Sequence, residues 1–214
     1  MRITISGAAA AAAVTLLLTT PSTALATAPA FAGAAGLGAQ AAQTRACADH
    51  GRNDGPAGPT GGSPQERIER VVAAAASMTG RGLSYSWGAG GKGGPACGIA
   101  DASPGGHHDY NVLGFDCSGL TLYAFWKGTG IDIGSSSSAQ YRNGTKIPRG
   151  QMRRGDLIFW KTHAEHIVHV ALYLGNNKII EAAPPRGTKS VHVTDLYSSG
   201  GGDVMTDHAV RYIG

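Results

Sequence analysis

At 214 residues with 42% hydrophobic content, the chain is long enough for one well-filled core and too short for two large ones. Its formal charge of +4 makes it mildly basic. The Lys and Arg residues are scattered, with neither a basic run nor an interleaved aromatic platform, so a solvated surface is expected and no nucleic-acid partner. The first 26 residues combine a lone basic Arg2, an apolar run over residues 8–18 and the small-residue site Ala24-Leu25-Ala26, the pattern of a secretory signal peptide. The run is too short to span a bilayer, and no later stretch is long and apolar enough, so no membrane span is expected. Residues 27–62 are rich in Ala, Gly, Pro and Thr and read as a flexible lead-in that cannot bury enough surface to offset its ordering entropy. The folded domain is then expected over residues 63–214.

That domain opens on Ser63-Pro64-Gln65-Glu66, an N-cap serine with proline at the first helical position and glutamate three residues after the cap. Ile68, Val71, Val72 and Ala75 supply one apolar face, which predicts a helix running to about residue 78. Residues 83–88 alternate and read as a strand or extended segment. Residues 90–111 are dominated by Gly, Pro, Ser, Asp and His and read as a polar, flexible loop that sets specificity. His107, His108 and Asp109 lie in it, without the spacing of a metal site. A second helix starts at Cys117 behind the N-cap Asp116 and stops at Gly128 and Gly130, and residues 135–141 suggest a third. Residues 157–160, 167–174, 178–182, 190–194 and 208–213 read as strands of an antiparallel sheet. Helices early and strands late predict an α+β fold.

The chemistry centres on Phe115-Asp116-Cys117-Ser118-Gly119-Leu120, because a helix start carries unpaired N–H groups and the positive end of the dipole, which favour a thiolate at Cys117. With three cysteines in an exported chain, Cys47 and Cys97 are expected to pair and leave Cys117 free. A cysteine nucleophile needs a base, and that base needs a group to orient it. His169 is the best base, since the small Ala171 two residues on would let a helix approach that face of the strand. His163, His166 and His169 share a spacing that a strand splits between its faces, which argues against zinc. Glu181 reaches His169 if Gly175, Asn176 and Asn177 form a three-residue hairpin loop, pairing Leu174 with Lys178 and Ala171 with Glu181.

Tyr85-Ser86-Trp87-Gly88, Phe115-Asp116-Cys117-Ser118-Gly119-Leu120, Arg154-Gly155-Asp156-Leu157 and His169-Val170-Ala171-Leu172-Tyr173-Leu174-Gly175, in this order, resemble the NlpC family of bacterial cell-wall cysteine peptidases. The resemblance covers residues from about 65 to the C-terminus. It implies a papain-like fold, with the nucleophile helix packed on a C-terminal antiparallel sheet. It also implies Cys117 as nucleophile, His169 as base, Glu181 as the third polar residue, and Tyr85, Asp116 and Ser118 lining the pocket for the acyl side of the substrate. The substrate it implies is the peptidoglycan stem peptide, most often cut between the γ-carboxyl of D-glutamate and diaminopimelate. The third position is more commonly histidine or a neutral polar residue, and the loop before Cys117 is longer than usual. A secreted or wall-associated monomer without metal or other cofactor is expected. The rival readings are an amidase of related fold cutting between muramic acid and L-alanine, and an inactive wall-binding or inhibitor module.

Overall fold

The computed structural model of the chain describes Cys47 and residues 49–214; the expected signal peptide and most of the expected lead-in, up to residue 46, lie outside the described residues. Helix α1, Pro64–Ala76, begins as its sequence dictates: the Ser63 side chain accepts from the Glu66 N–H, and the Glu66 carboxylate accepts from the Ser63 N–H at 2.7 Å. Such a reciprocal cap satisfies two otherwise orphaned donors, an N-cap of this kind being worth about 1 kcal/mol. Its buried face of Ile68, Val71, Val72 and Ala75 packs on helix α2, Cys117–Thr129, and shares one cluster with Leu122, Ala124 and Phe125. Helix α2 is buried on nearly every side rather than along one stripe, because α1, a small sheet and the main sheet all close around it.

The small sheet has strand order β1-β3-β2, with β1 (Ser84–Tyr85) parallel to β3 (Leu113–Phe115) and β2 (Ala96–Cys97) antiparallel to it. It sets Tyr85 beside the start of α2. Helix α3, Ser137–Asn143, follows, and the main sheet runs in the order β4-β10-β5-β6-β7-β8. These strands are β4 (Thr145–Pro148), β5 (Leu157–Lys161), β6 (Ile167–Gly175), β7 (Lys178–Ala182), β8 (Val191–Asp195) and β10 (His208–Arg211), with the short β9 (Val204–Met205) also on β5. All their pairings are antiparallel. The molecule is therefore α+β, with helices packed on one face of the sheet.

Four expectations are corrected. The lead-in is not a free tail over its last part: residues 49–62 lie along the domain, where Trp126 Nε1 donates to the Gly55 carbonyl at 2.7 Å and Gly58 N–H donates to the Trp126 carbonyl at 2.9 Å. The folded unit thus begins before residue 63, because backbone carbonyls of a polar segment found donors that composition does not reveal. Residues 90–111 are likewise not an open polar loop. Cys97 and Ala96 are fully buried, and the Asp109 carboxylate is buried against Arg186 in a two-point ion pair of 3.0 and 2.7 Å.

The third correction concerns the strand face. Helix α2 packs on the Val170 and Leu172 side of β6, while Ala171 belongs to the opposite cluster with Ile158, Trp160 and Tyr173. The small residue at position 171 therefore serves packing on the far face. The fourth concerns the hairpin. Gly175 pairs with Lys178 across a two-residue turn of Asn176 and Asn177, both at positive φ (51° and 56°), as a mirror-image hairpin turn requires. A bulge at Leu174 then returns Tyr173 opposite Ile179 and Leu172 opposite Ile180, the register the three-residue loop was expected to set. Glu181 reaches the His169 side by turn plus bulge.

Candidate active site

Cys117 occupies the first position of α2, and the Asp116 side chain caps the helix by accepting from the Gly119 N–H at 2.6 Å. Gly119 is required there: a side chain at this position would collide with the Ala89 carbonyl, which leans over the helix start. His169 sits beside a second bulge, where Val168 is the extra residue of β6 between the pairs Trp160–His169 and Lys161–Ile167. A bulge bends the strand and re-aims its side chains, which is how a histidine on the far side of β6 turns toward the helix start. Its ring packs against Trp160 at a centroid distance of 5.2 Å.

The His169 imidazole is bonded through Nε2 to Glu181 Oε2 at 2.6 Å, and Cys117 stands near enough to the ring to act on its titration. Nδ1 is thus the ring nitrogen left for the thiol. Burial alone would push the imidazole toward its neutral form, but the hydrogen bonds and negative charge of Cys117 and Glu181 outweigh it and raise its pKa to about 10. Glu181 is 3% exposed. Burial opposes its charge as well, yet the His169 bond and charge, the Ser199 hydroxyl and His192 together hold its carboxyl below the ordinary glutamate value. The arrangement is an imidazolium bonded to a carboxylate and set beside the Cys117 sulfur. Burial, reinforced by the negative charge at Cys117 and Asp116, keeps the Tyr85 hydroxyl protonated and able to donate. Tyr85, Val168, His169, Glu181, His192 and Ser199 line a cleft of about 390 Å³.

Asp116 and Ser118, expected to line that cleft, are turned inward. Asp116 Oδ1 accepts from Ser118 Oγ at 3.0 Å and Arg52 Nη2 at 2.9 Å, while Oδ2 accepts from Arg52 Nη2 at 2.7 Å and Gly88 N–H at 3.0 Å. Their bonding capacity is used within the protein, so their part in the site is to fix the helix start. Arg52 was missed by the sequence reading. It also donates to the carbonyls of Ala89 (2.6 Å), Gly90 (2.8 Å) and Ser135 (2.8 Å), joining the turn after β1, the start of α2 and the approach to α3. The disulfide between Cys47 and Cys97 anchors the arm that carries it. Closing a loop with a sequence separation of 50 contributes about 4 kcal/mol in the chain-entropy picture. Arg52→Ala, which strands a mostly buried carboxylate, is expected to lower the unfolding free energy by about 2 to 3 kcal/mol in urea titration. An unchanged midpoint would show the bonds to be replaceable by water.

Among the described residues no group of His, Cys, Asp and Glu, His107 and His108 included, is placed to hold a metal. Asp109 instead pairs with Arg186, whose guanidinium lies 5.0 Å from the centre of the Tyr85 ring.

The model of the NlpC/P60 family matches residues 82–210. The chain belongs to the NlpC/P60 family. Among its relatives, the peptidoglycan endopeptidase RipA of Mycobacterium tuberculosis is 43% identical over 172 residues, covering 77% of this chain and 32% of RipA. The peptidoglycan endopeptidase RipB of the same species is 39% identical over 127 residues, covering 59% of this chain and 48% of RipB. The chain thus spans between a third and a half of the length of these relatives. Among solved structures, the P60 domain of the M. avium paratuberculosis antigen MAP1272c matches with a TM-score of 0.57 and 36% identity, over 70% of this chain and 95% of that one. RipD of M. tuberculosis, described as a non-catalytic NlpC/p60 domain protein adapted to peptidoglycan binding, matches with a TM-score of 0.56 and 35% identity, over 69% and 98%. The NlpC/P60 fold thus occurs in proteins named endopeptidases and in one described as non-catalytic.

Proposed function

We propose that this NlpC/P60 protein is an exported cysteine endopeptidase that hydrolyses peptidoglycan stem peptides. The observation that carries the reading is the His169 ring bonded to Glu181 and set beside Cys117 at the edge of a cleft. The names of RipA and RipB support the substrate, and the signal-like residues 1–26 support export. The bond is that between the γ-carboxyl of D-glutamate and diaminopimelate. The γ-D-glutamyl side of that bond is supported by a Bacillus cereus relative named γ-D-glutamyl-L-lysine dipeptidyl-peptidase, 38% identical over 91 residues, and the diaminopimelate side rests on the family resemblance.

In the mechanism, the Cys117 thiolate attacks the scissile carbonyl carbon, and the charge that develops on oxygen meets the N–H groups at the start of α2 and the Tyr85 hydroxyl. The imidazolium of His169 gives its proton to the leaving amine as the C–N bond breaks, leaving a thioester on Cys117. Neutral His169 then takes a proton from water as its oxygen attacks the thioester carbon, and breaking of the C–S bond releases the free acid and restores the thiolate–imidazolium pair. Glu181 keeps the ring in the orientation both steps need.

Tyr85→Phe is expected to lower kcat by about 10²-fold with the fold intact, the usual effect of losing one oxyanion donor. Unchanged kcat would assign the oxyanion to backbone donors alone. Product masses from digested cell wall test the reaction itself: a new amino terminus at diaminopimelate supports the endopeptidase, while release of L-alanine from muramic acid would make the protein an amidase.

A further inference from the structure

The Glu181 carboxylate stands between two histidines. His169 on β6 meets Oε2 at 2.6 Å, and His192 on β8, directly opposite Glu181 in the ladder, faces Oε1 with Nε2 at 3.5 Å. The Nδ1 of His192 lies 3.0 Å from the Ser190 carbonyl. A carboxylate so placed can serve either ring by rotating its terminal torsion, which is broad and roughly two-fold. One further contact breaks the tie. Ser199 Oγ donates to Oε2 at 2.6 Å, the same oxygen that meets His169.

Ser199 is not on a strand of the sheet. It comes from residues 198–203, which form one wall of the cleft. That wall is seated by Gly200, at φ 90°, where an added Cβ would run into the Trp160 indole. Trp160 is the residue whose ring packs on His169. The wall, Trp160 and the imidazole therefore form one stack, and Ser199 closes it onto the carboxylate.

We infer that Ser199 is a positioning residue, its hydroxyl holding Oε2 of the Glu181 carboxylate on His169 against the competing pull of His192 on Oε1. The inference rests on the thiol mechanism proposed above and adds to it a fourth member acting through Glu181. The charged and titratable groups that face this set are Cys117 from α2, His169 from β6 and His192 from β8, with Tyr85 and Asp203 on the cleft walls.

The test uses the full chain and two readouts. Alkylation of Cys117 by iodoacetamide as a function of pH reports the thiolate–imidazolium pair with no substrate present, and the other two cysteines are tied in the disulfide. Turnover of wall peptides gives kcat and KM. Ser199→Ala is expected to lower kcat about tenfold, as loss of a hydrogen bond to a charged group does, with KM unchanged. It should also move the alkaline limb of the alkylation profile to lower pH, because a carboxylate turned toward His192 supports the His169 proton less. Ser199→Thr should restore both readouts, and adding His192→Gln to Ser199→Ala should recover part of the loss by removing the competing partner. A Ser199→Ala protein with the wild-type alkylation profile overturns the inference, as does a fall in kcat that Ser199→Thr does not repair. If the wild-type protein cleaves no wall peptide, the proposed function fails instead, and the alkylation profiles still decide the role of Ser199.

Discussion

Replacing Cys117 by alanine is expected to abolish stem-peptide hydrolysis, by at least about 10⁴-fold in kcat, while leaving the protein folded. The thiol is the group that forms the covalent intermediate in the proposed mechanism, and His169 and Glu181 without it have only water to activate. The structural cost is small because the change removes a single sulfur from the edge of the core, where Cys117 is 6% exposed. Mass spectrometry of wall fragments after incubation, beside a thermal melt, measures both. A Cys117→Ala protein that still releases the wild-type fragments would remove Cys117 as the nucleophile, whereas a wild-type protein that releases none would make this a binding module, as RipD is described to be.

The second large effect belongs to Glu181. Glu181→Ala should lower kcat by about 10² to 10³, since it frees the imidazole and leaves the Ser199 hydroxyl without its acceptor, whereas Glu181→Gln, which keeps an oxygen in place, should cost about tenfold. The pH dependence has a definite sign. Glu181 is one of the groups that raise His169 to about 10, so its loss moves the alkaline limb of activity to lower pH. Because the folded-state value lies above the ordinary 6.5, the charged His169 stabilises the fold fully below pH 6.5, and that contribution fades as the pH rises through about 10. Activity profiles and urea midpoints across this range check both. Full activity in Glu181→Ala would reduce the site to a Cys-His pair.

Much of the centre could be read from the chain because it depends on local rules. Ser63 and Glu66 form their capping box, and Asp116 caps the helix that begins at Cys117, since both signals lie within four residues of the groups they satisfy. Strands β5, β6 and β7 follow from short apolar runs. The contacts that were missed span long separations. Arg52 lies 64 residues from Asp116, and Arg186 lies 77 from Asp109, so composition records only a polar residue in each segment. Ser199 stands before a run of three glycines that reads as an ordinary loop. The hairpin shows a subtler limit: Asn176 and Asn177 announce the turn, but the bulge at Leu174 that places Glu181 has no residue signature of its own. Strand β4 was missed because Thr145, Lys146, Ile147 and Pro148 sit at an exposed edge with one apolar side chain among them.

The arm that carries Arg52 also sets where this protein can be divided. Residues 82–210 hold every family motif, and a fragment starting at Ser63 would include them all. Such a fragment would nevertheless leave Asp116 without its guanidinium, the Ala89 and Gly90 carbonyls without their donor, and Cys97 as a second thiol inside the core. The transferable unit for grafting, domain exchange or fusion to another module therefore runs from Cys47 and not from the first helix, and any shuffling of this domain between proteins has to carry its arm with it.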